Sequence, residues 1–305
     1  MMATYGIMVI EWPCVICVDA AGVVAETTPK AEAEYGYTVG SHVTGCSRVG
    51  TTQYGVGQEY FLMDAYLTMP LPRNLSLAQA STLGGGTLTA SLGIFEGLKI
   101  PLLDADRLPP KKNEWIVILG GASNVGNYAI QLATAAGYNV IASCSASSNS
   151  TVTALGAKTF DYKTPLEAQV SAVTSAAGPN ISRIFDCVAS DNPQIARELF
   201  KRSSAKNKLF TTTNDWTGIP DFEGGKTYII DQGLIGRPDA EAKEINRLLA
   251  GYIPMIVRLL EAGVIKNTPY KIVPTVGFEG ILEAHSKKSG GGVGGTKVVV
   301  KIQDE

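Results

Sequence analysis

Histidine is nearly absent from this chain: only His42 and His285 occur, far apart in sequence. A zinc site needs three or four nitrogen, sulfur or oxygen ligands converging at fixed geometry. Two isolated histidines do not supply that, and no metal is expected. The five cysteines, at positions 14, 17, 46, 144 and 187, form an odd count scattered through apolar stretches. Cys14-Val-Ile-Cys17 lacks both a second pair to complete a zinc knot and a thioredoxin-like context. Buried free thiols in a reducing cytosol are the simpler reading. Neither sign of charge prevails: 26 Lys and Arg face 28 Asp and Glu, a net of −2. Nothing in that balance favours nucleic acid or an anionic membrane as a partner. A long uncharged apolar run is missing too. The opening MMATYGIMVIEWPCVICVDAAGVVAE has no basic start, and Glu11, Pro13 and Asp19 interrupt it. It reads as neither a secretory leader nor a membrane span. Despite 33 glycines and 15 prolines there is no collagen-like or low-complexity tract, and no internal repeat. These absences point to a cytoplasmic globular chain, and 305 residues suffice for two domains.

What is present changes character along the chain. Residues 14 to about 95 hold short β-prone runs, VICVDAAGVVAE, VGSHVTGC and GQEYFLMDAYL, separated by glycine and polar residues. LAQASTLGGGTLTASLGIFEGL then reads as helix, glycine-rich break, helix, and PLLDADRLPPKKNE as a polar linker. Beyond it strands and helices alternate. The strand candidates are WIVILG, YNVIASCS, TFDY, RIFDCVA, KLFTTT and TYIIDQGLI. Helices are predicted over residues 125–136, 165–176 and 192–200. Such alternation calls for an α/β, doubly wound parallel sheet. A long amphipathic stretch, AEAKEINRLLAGYIPMIVRLLEAG, follows, and the glycine cluster SGGGVGGT precedes a last strand, KVVVKI.

IVILGGASNVGNYAIQLA, residues 116–133, combines a buried strand, a tight turn and a helix. Such a turn aims backbone N–H groups and the positive helix end at one point, which suits a phosphate. The bare spacing Gly121-x4-Gly126 also fits α/β turns that bind nothing. At the end of the next strand, Cys144-Ser145-Ala146-Ser147-Ser148 carries no acid. A carboxylate there accepts the ribose hydroxyls of NAD. Hydroxyls and N–H groups instead donate to a 2′-phosphate, so NADPH is favoured over NADH; the alternative is a plain polar loop.

The succession PCVICVDAAGVV, VGSHVTG, GQEYFLMDA, LGGASNVGNYAIQLA, LGAKTFDY and FDCV resembles the medium-chain dehydrogenase/reductase superfamily. Within it the chain looks most like the zinc-free fungal enoyl reductases that act in trans with polyketide synthases, the lovastatin-type partners and their ToxD-like relatives. The resemblance runs from about Trp12 to Ile302. It implies a GroES-like, β-rich catalytic domain, residues 1–95 and 264–305, interrupted by a Rossmann dinucleotide-binding domain, residues 96–263. Zinc-dependent members carry Gly-His-Glu where this chain has Cys17-Val18-Asp19, and the four-cysteine lobe is missing. The relatives also extend further ahead of Trp12, with an Asn-Pro-x-Asp-x-Lys segment near the nicotinamide. The catalytic domain is therefore expected to be truncated at its N-terminal end, with an open sheet edge.

The resemblance also implies roles. Ala122, Ser123, Asn124, Val125 and Gly126 lie along the pyrophosphate. Ser145, Ser147, Ser148 and Tyr162 hold the 2′-phosphate, with Lys158 and Lys163 the nearest basic residues in sequence. Thr212 and Thr213 follow the strand under the nicotinamide, and Val293 and Gly294 close over it. Thr89, with Ala90, is a candidate polar contact at the reacting end; Thr89 reads equally as a helix N-cap. Ile235, Gly236 and Arg237 align with an acyl-pocket loop, where Arg237 meets a pantetheine phosphate or pairs with a surface acid, the second being favoured. The function implied is NADPH-dependent, zinc-independent reduction of α,β-unsaturated polyketide intermediates on an acyl-carrier domain of a polyketide synthase. Alternatives are a quinone or enone reductase, and a hydride-silent relative acting as a polyketide-binding partner or cyclase.

Overall fold

The computed structural model describes residues 8–190, 193–289 and 295–303. The chain divides into two compact units. One gathers Met1–Leu88, Gly233–Gly263 and Asn267–Glu305; the other holds Thr89–Gln232 with Val264–Lys266. Among the described residues no helix is long and apolar enough to cross a membrane.

The first unit carries the antiparallel sheet β1 (Asp19–Val23), β2 (His42–Cys46) and β3 (Thr68–Pro70), in that order. The β-prone run GQEYFLMDAYL forms no strand: it bends, then turns as a short 3-10 helix over Ala65–Leu67 just before β3. The long helix Lys243–Glu261 belongs to this unit, whereas the sequence layout had placed it in residues 96–263. Its apolar stripe, which includes Leu249, Tyr252, Ile256 and Leu259, is buried, and it packs against β3 and the Ala65–Leu67 turn. Periodicity reveals such a stripe but not the surface that covers it.

The second unit is a six-stranded parallel sheet. Its strands are β4 (Trp115–Leu119), β5 (Asn139–Cys144), β6 (Lys158–Asp161), β7 (Arg183–Asp186), β8 (Lys208–Thr212) and β9 (Gly225–Ile229). Their order is β6-β5-β4-β7-β8-β9. Ile116, Val117 and Ile118 are all fully buried, so β4 lacks a solvent face and reads as a continuous apolar run. Helices Asn124–Ala135, Leu166–Ala177 and Gln194–Arg202 alternate with the strands. Phe200, Phe210 and Phe222 anchor one core, with ring centroids 5.8 Å and 5.1 Å apart for the two contacting pairs. TYIIDQGLI continues as strand only to Ile229, and Gln232–Leu234 turn instead. The last two strands described, β10 (Tyr270–Ile272) and β11 (Lys297–Val299), pair in parallel in the first unit.

Strand order reverses between β4 and β7: β5 and β6 extend one way, β8 and β9 the other. In open α/β sheets ligands settle beyond the carboxyl ends of the strands at that switch point. The glycine-rich bend follows β4 and therefore lies there.

Candidate cofactor-binding site

The bend owes its shape to two contacts with β5. Gly120 donates its N–H to the Ser143 hydroxyl at 2.7 Å, and Gly121 donates to the Ser143 carbonyl at 2.8 Å. Gly120 has φ +80°, a conformation that L side chains rarely adopt. Ser123 caps the helix Asn124–Ala135, its hydroxyl accepting the Gly126 N–H at 2.9 Å. Gly126 fits only because it has no side chain; a Cβ there would lie 2.2 Å from the Gly120 carbonyl oxygen. Ala122, Ser123, Asn124 and Val125 are half-buried, and their backbone runs along the positive end of a 12-residue helix. That arrangement suits an anionic group such as a pyrophosphate.

At the end of β5, Ser145, Ser147 and Ser148 turn into one cluster. The Ser145 hydroxyl lies 2.9 Å from that of Ser147 and donates to that of Ser148 at 3.3 Å. Ser147 is exposed, Ser145 half-buried and Ser148 buried. Tyr162, just past β6, is 52% exposed, and the Lys163 ammonium stands 5.9 Å from its ring centroid. Lys158 is engaged elsewhere, 4.9 Å over the Trp115 ring at the opposite, amino-terminal end of β4. An acid does occur on the neighbouring strand: Asp161 pairs in register with Cys144. Its Oδ1 accepts the Lys163 N–H at 2.9 Å, which holds it to its own loop. Burial, and secondarily Asp161, pushes the Cys144 thiol up from its ordinary value.

Thr212 and Thr213 are buried at the carboxyl end of β8. The Thr212 hydroxyl donates to Oδ2 of Asp186 at 3.1 Å and accepts the Asn214 N–H at 3.0 Å. Asp186, which sequence reasoning passed over, ends β7 and is fully buried. Its carboxylate also accepts the N–H groups of Val188 and Ser190. Only the short motif FDCV marks it in sequence. Val293 and Gly294 lie outside the described residues.

Thr89 and Ala90 lie inside the helix Gly84–Ser91 and are buried, so Thr89 is not a helix cap. Ile235 is buried as well, within the other unit. Gly236, at φ +78°, lies against Arg48 and Asp64, where a Cβ would meet Arg48 Cγ at 2.9 Å. Its N–H donates to Asn246 Oδ1 at 2.9 Å, and Asn246 Nδ2 donates to the Arg237 carbonyl at 2.9 Å. Arg237 has no acid partner among the described residues, against the favoured surface pairing, and its Nε is buried without a hydrogen bond. Arg48 itself is bidentate on Asp64, with Nε to Oδ2 at 2.7 Å, and stands 4.2 Å over the Tyr54 ring.

No group of three or more His, Cys, Asp and Glu side chains that could hold a metal converges among the described residues. Cys46, Cys144 and Cys187 are buried and free, but Cys17 is exposed and Cys14 half-buried, so the expectation of buried thiols holds for three of five.

No family model matches the chain. It is 27% identical over 310 residues to the trans-enoyl reductase thnE of Trichoderma harzianum, covering 94% of this chain and 82% of that protein. It is 28% identical over 306 residues to the trans-enoyl reductase traG of Penicillium crustosum, covering 93% and 81%. Its fold matches the crystal structure of CurK enoyl reductase with a TM-score of 0.72, at 20% identity, over 99% of this chain and 83% of that one. Over nearly its whole length, then, this chain resembles the fungal trans-enoyl reductases, and it shares its fold with the CurK enoyl reductase.

Proposed function

We propose that this chain is an NADPH-dependent, zinc-independent enoyl reductase. It works in trans, in the cytoplasm, on α,β-unsaturated acyl groups carried by the acyl-carrier domain of a polyketide synthase. The observation that carries the coenzyme choice is the hydroxyl cluster of Ser145, Ser147 and Ser148 at the end of β5. Likeness to the trans-enoyl reductases supports the reaction class. In this proposal the discontinuous unit is a GroES-like catalytic domain and the sheet unit a Rossmann domain.

The residues present fit a dinucleotide. The Gly126 cradle leaves room for nothing but backbone, and N–H groups from Ala122 to Val125 would hold the pyrophosphate. Ser145, Ser147 and Ser148 would donate to the 2′-phosphate, with Tyr162 and Lys163 beside them. Thr212 and Thr213 would lie under the nicotinamide. A bound dihydronicotinamide supplies a hydride, with its electron pair, to the β-carbon of the enoyl thioester. Negative charge then builds on the thioester oxygen, and the task left to the protein is orientation and donation to that oxygen. Thr89, with Ala90 beside it, is proposed for that contact. Ile235, Gly236 and Arg237 are proposed to touch the acyl chain or its pantetheine arm.

Titration of the intact chain with NADPH and NADH, followed by nicotinamide fluorescence, tests the coenzyme. Incubation with an enoyl-pantetheine thioester, with loss of nicotinamide absorbance as the readout, tests the reaction. Tighter binding of NADPH and turnover of the thioester, with small quinones left unreduced, are the expected results. Binding of neither coenzyme, or product formation independent of NADPH, overturns the proposal.

A further inference from the structure

Asp186 is a buried carboxylate with no counter-charge among the described residues. Oδ1 accepts the Val188 N–H at 3.1 Å and the Ser190 hydroxyl at 3.3 Å. Oδ2 accepts the Ser190 N–H at 2.8 Å and the Thr212 hydroxyl at 3.1 Å. Donors converge on both oxygens, which is the pattern of an ionised carboxylate. Burial pushes its pKa up, and these four hydrogen bonds oppose that rise. Every one of the four donors is neutral, and no cation among the described residues contributes to its electrostatics. Neutral donors satisfy lone pairs but leave the net charge uncancelled, and a buried uncancelled charge is costly to keep.

Its place in the sheet suggests what offsets that cost. Asp186 is in register with Leu119 on β4 and Thr212 on β8, so it lies at the carboxyl edge on the switch point itself. The loop it ties down meets the glycine-rich bend. The Ser123 hydroxyl donates to the Cys187 carbonyl at 3.4 Å, and a Cβ on Gly120 would lie 2.1 Å from Val188 Cγ1.

We infer that the Asp186 carboxylate is the electrostatic counterpart of the oxidised nicotinamide ring, favouring the cationic form of the coenzyme over the neutral dihydro form. This inference rests on the coenzyme site proposed above. During reduction, hydride leaves the dihydro ring with its electron pair and bonds to the enoyl β-carbon. The ring gains one positive charge, the thioester becomes an enolate, and a proton from water then adds at the α-carbon. A fixed negative charge near the ring stabilises the side of this transfer on which the ring is positive. Asp186 need touch neither substrate nor coenzyme to act in this way.

The test compares dissociation constants of NADP+ and NADPH, measured separately by calorimetry on the intact chain and its variants. Asp186→Asn keeps the shape and removes the charge. It is expected to weaken NADP+ relative to NADPH by about tenfold. Val188→Lys places a cation beside the carboxylate at a position 52% exposed and is expected to shift the same ratio in the same direction. Thr211→Val, one position along the same strand, touches neither the charge nor its four hydrogen bonds, so the ratio should not move. If Asp186→Asn does not fold, the contrast between Val188→Lys and Thr211→Val decides. A ratio unchanged in both charge variants overturns the inference and leaves the coenzyme site standing. Failure of the native chain to bind either form overturns both.

Discussion

Gly126 packs its bare Cα against the carbonyl of Gly120, and a Cβ would approach that oxygen to 2.2 Å. The neighbour is backbone, itself fixed through the Gly120 N–H bond to Ser143, so it cannot swing aside. Gly126→Ala is expected to cost about 3 kcal/mol of stability in the sheet unit. Denaturant unfolding measures that cost. An alanine variant as stable as the native chain would show that the bend is not built around this contact.

Ser145→Asp places a carboxylate in the hydroxyl cluster where a 2′-phosphate is proposed. Like charges repel, while the ribose hydroxyls of NADH would gain an acceptor. NADPH affinity should fall about tenfold or more, with NADH binding retained or improved. Parallel fluorescence titrations with the two coenzymes check this, and equal losses for both would remove the cluster from coenzyme discrimination.

The Thr211 hydroxyl is buried without a hydrogen-bond partner. It faces the space over Gly97, whose added Cβ would lie 2.1 Å from Thr211 Oγ1. Valine has the same shape without the unmet polar atom. Thr211→Val is expected to stabilise the chain by about 1 kcal/mol. A higher midpoint of thermal unfolding is the readout; a clear drop would reveal a partner for that hydroxyl.

Tyr37 donates to the Thr68 carbonyl at 2.6 Å, and burial, aided by Tyr35, pushes its pKa from 10.0 up to about 12. A folded-state pKa above the unfolded value means that the native chain favours the protonated phenol. The contribution is therefore complete below pH 10 and is lost as pH climbs through about 12. Stability measured by denaturant should decline across that window, and Tyr37→Phe should flatten the decline. An identical slope in the variant would assign the alkaline loss to other groups.

The parallel sheet was legible because β4 and β5 are short apolar runs, and β7 and β8 short β-prone ones, each ending at a polar or glycine-rich turn. The helix read over residues 125–136 differs from Asn124–Ala135 by one residue at each end. Less of the first unit could be read. GQEYFLMDAYL has strand composition, yet its aromatic and acidic residues serve turns and the Arg48–Asp64 pair rather than a ladder. At the site, the serines are neighbours in sequence, so their clustering could be anticipated. The Asp186 network could not, because parallel register brings Thr212 beside Asp186 across 26 residues of chain. Local spacing carries no trace of such a bond.

Asp19 accepts the Gly85 N–H at 2.6 Å and pairs with the Lys297 ammonium, 278 positions further along. The six-stranded unit is almost continuous in sequence, while the other is assembled from three separate stretches. Vectorial synthesis on the ribosome therefore releases everything the sheet needs well before the patchwork unit has its last strand. Until that strand emerges, the nascent polypeptide carries a half-built body, and this interval is when proteases and aggregation have their best opportunity.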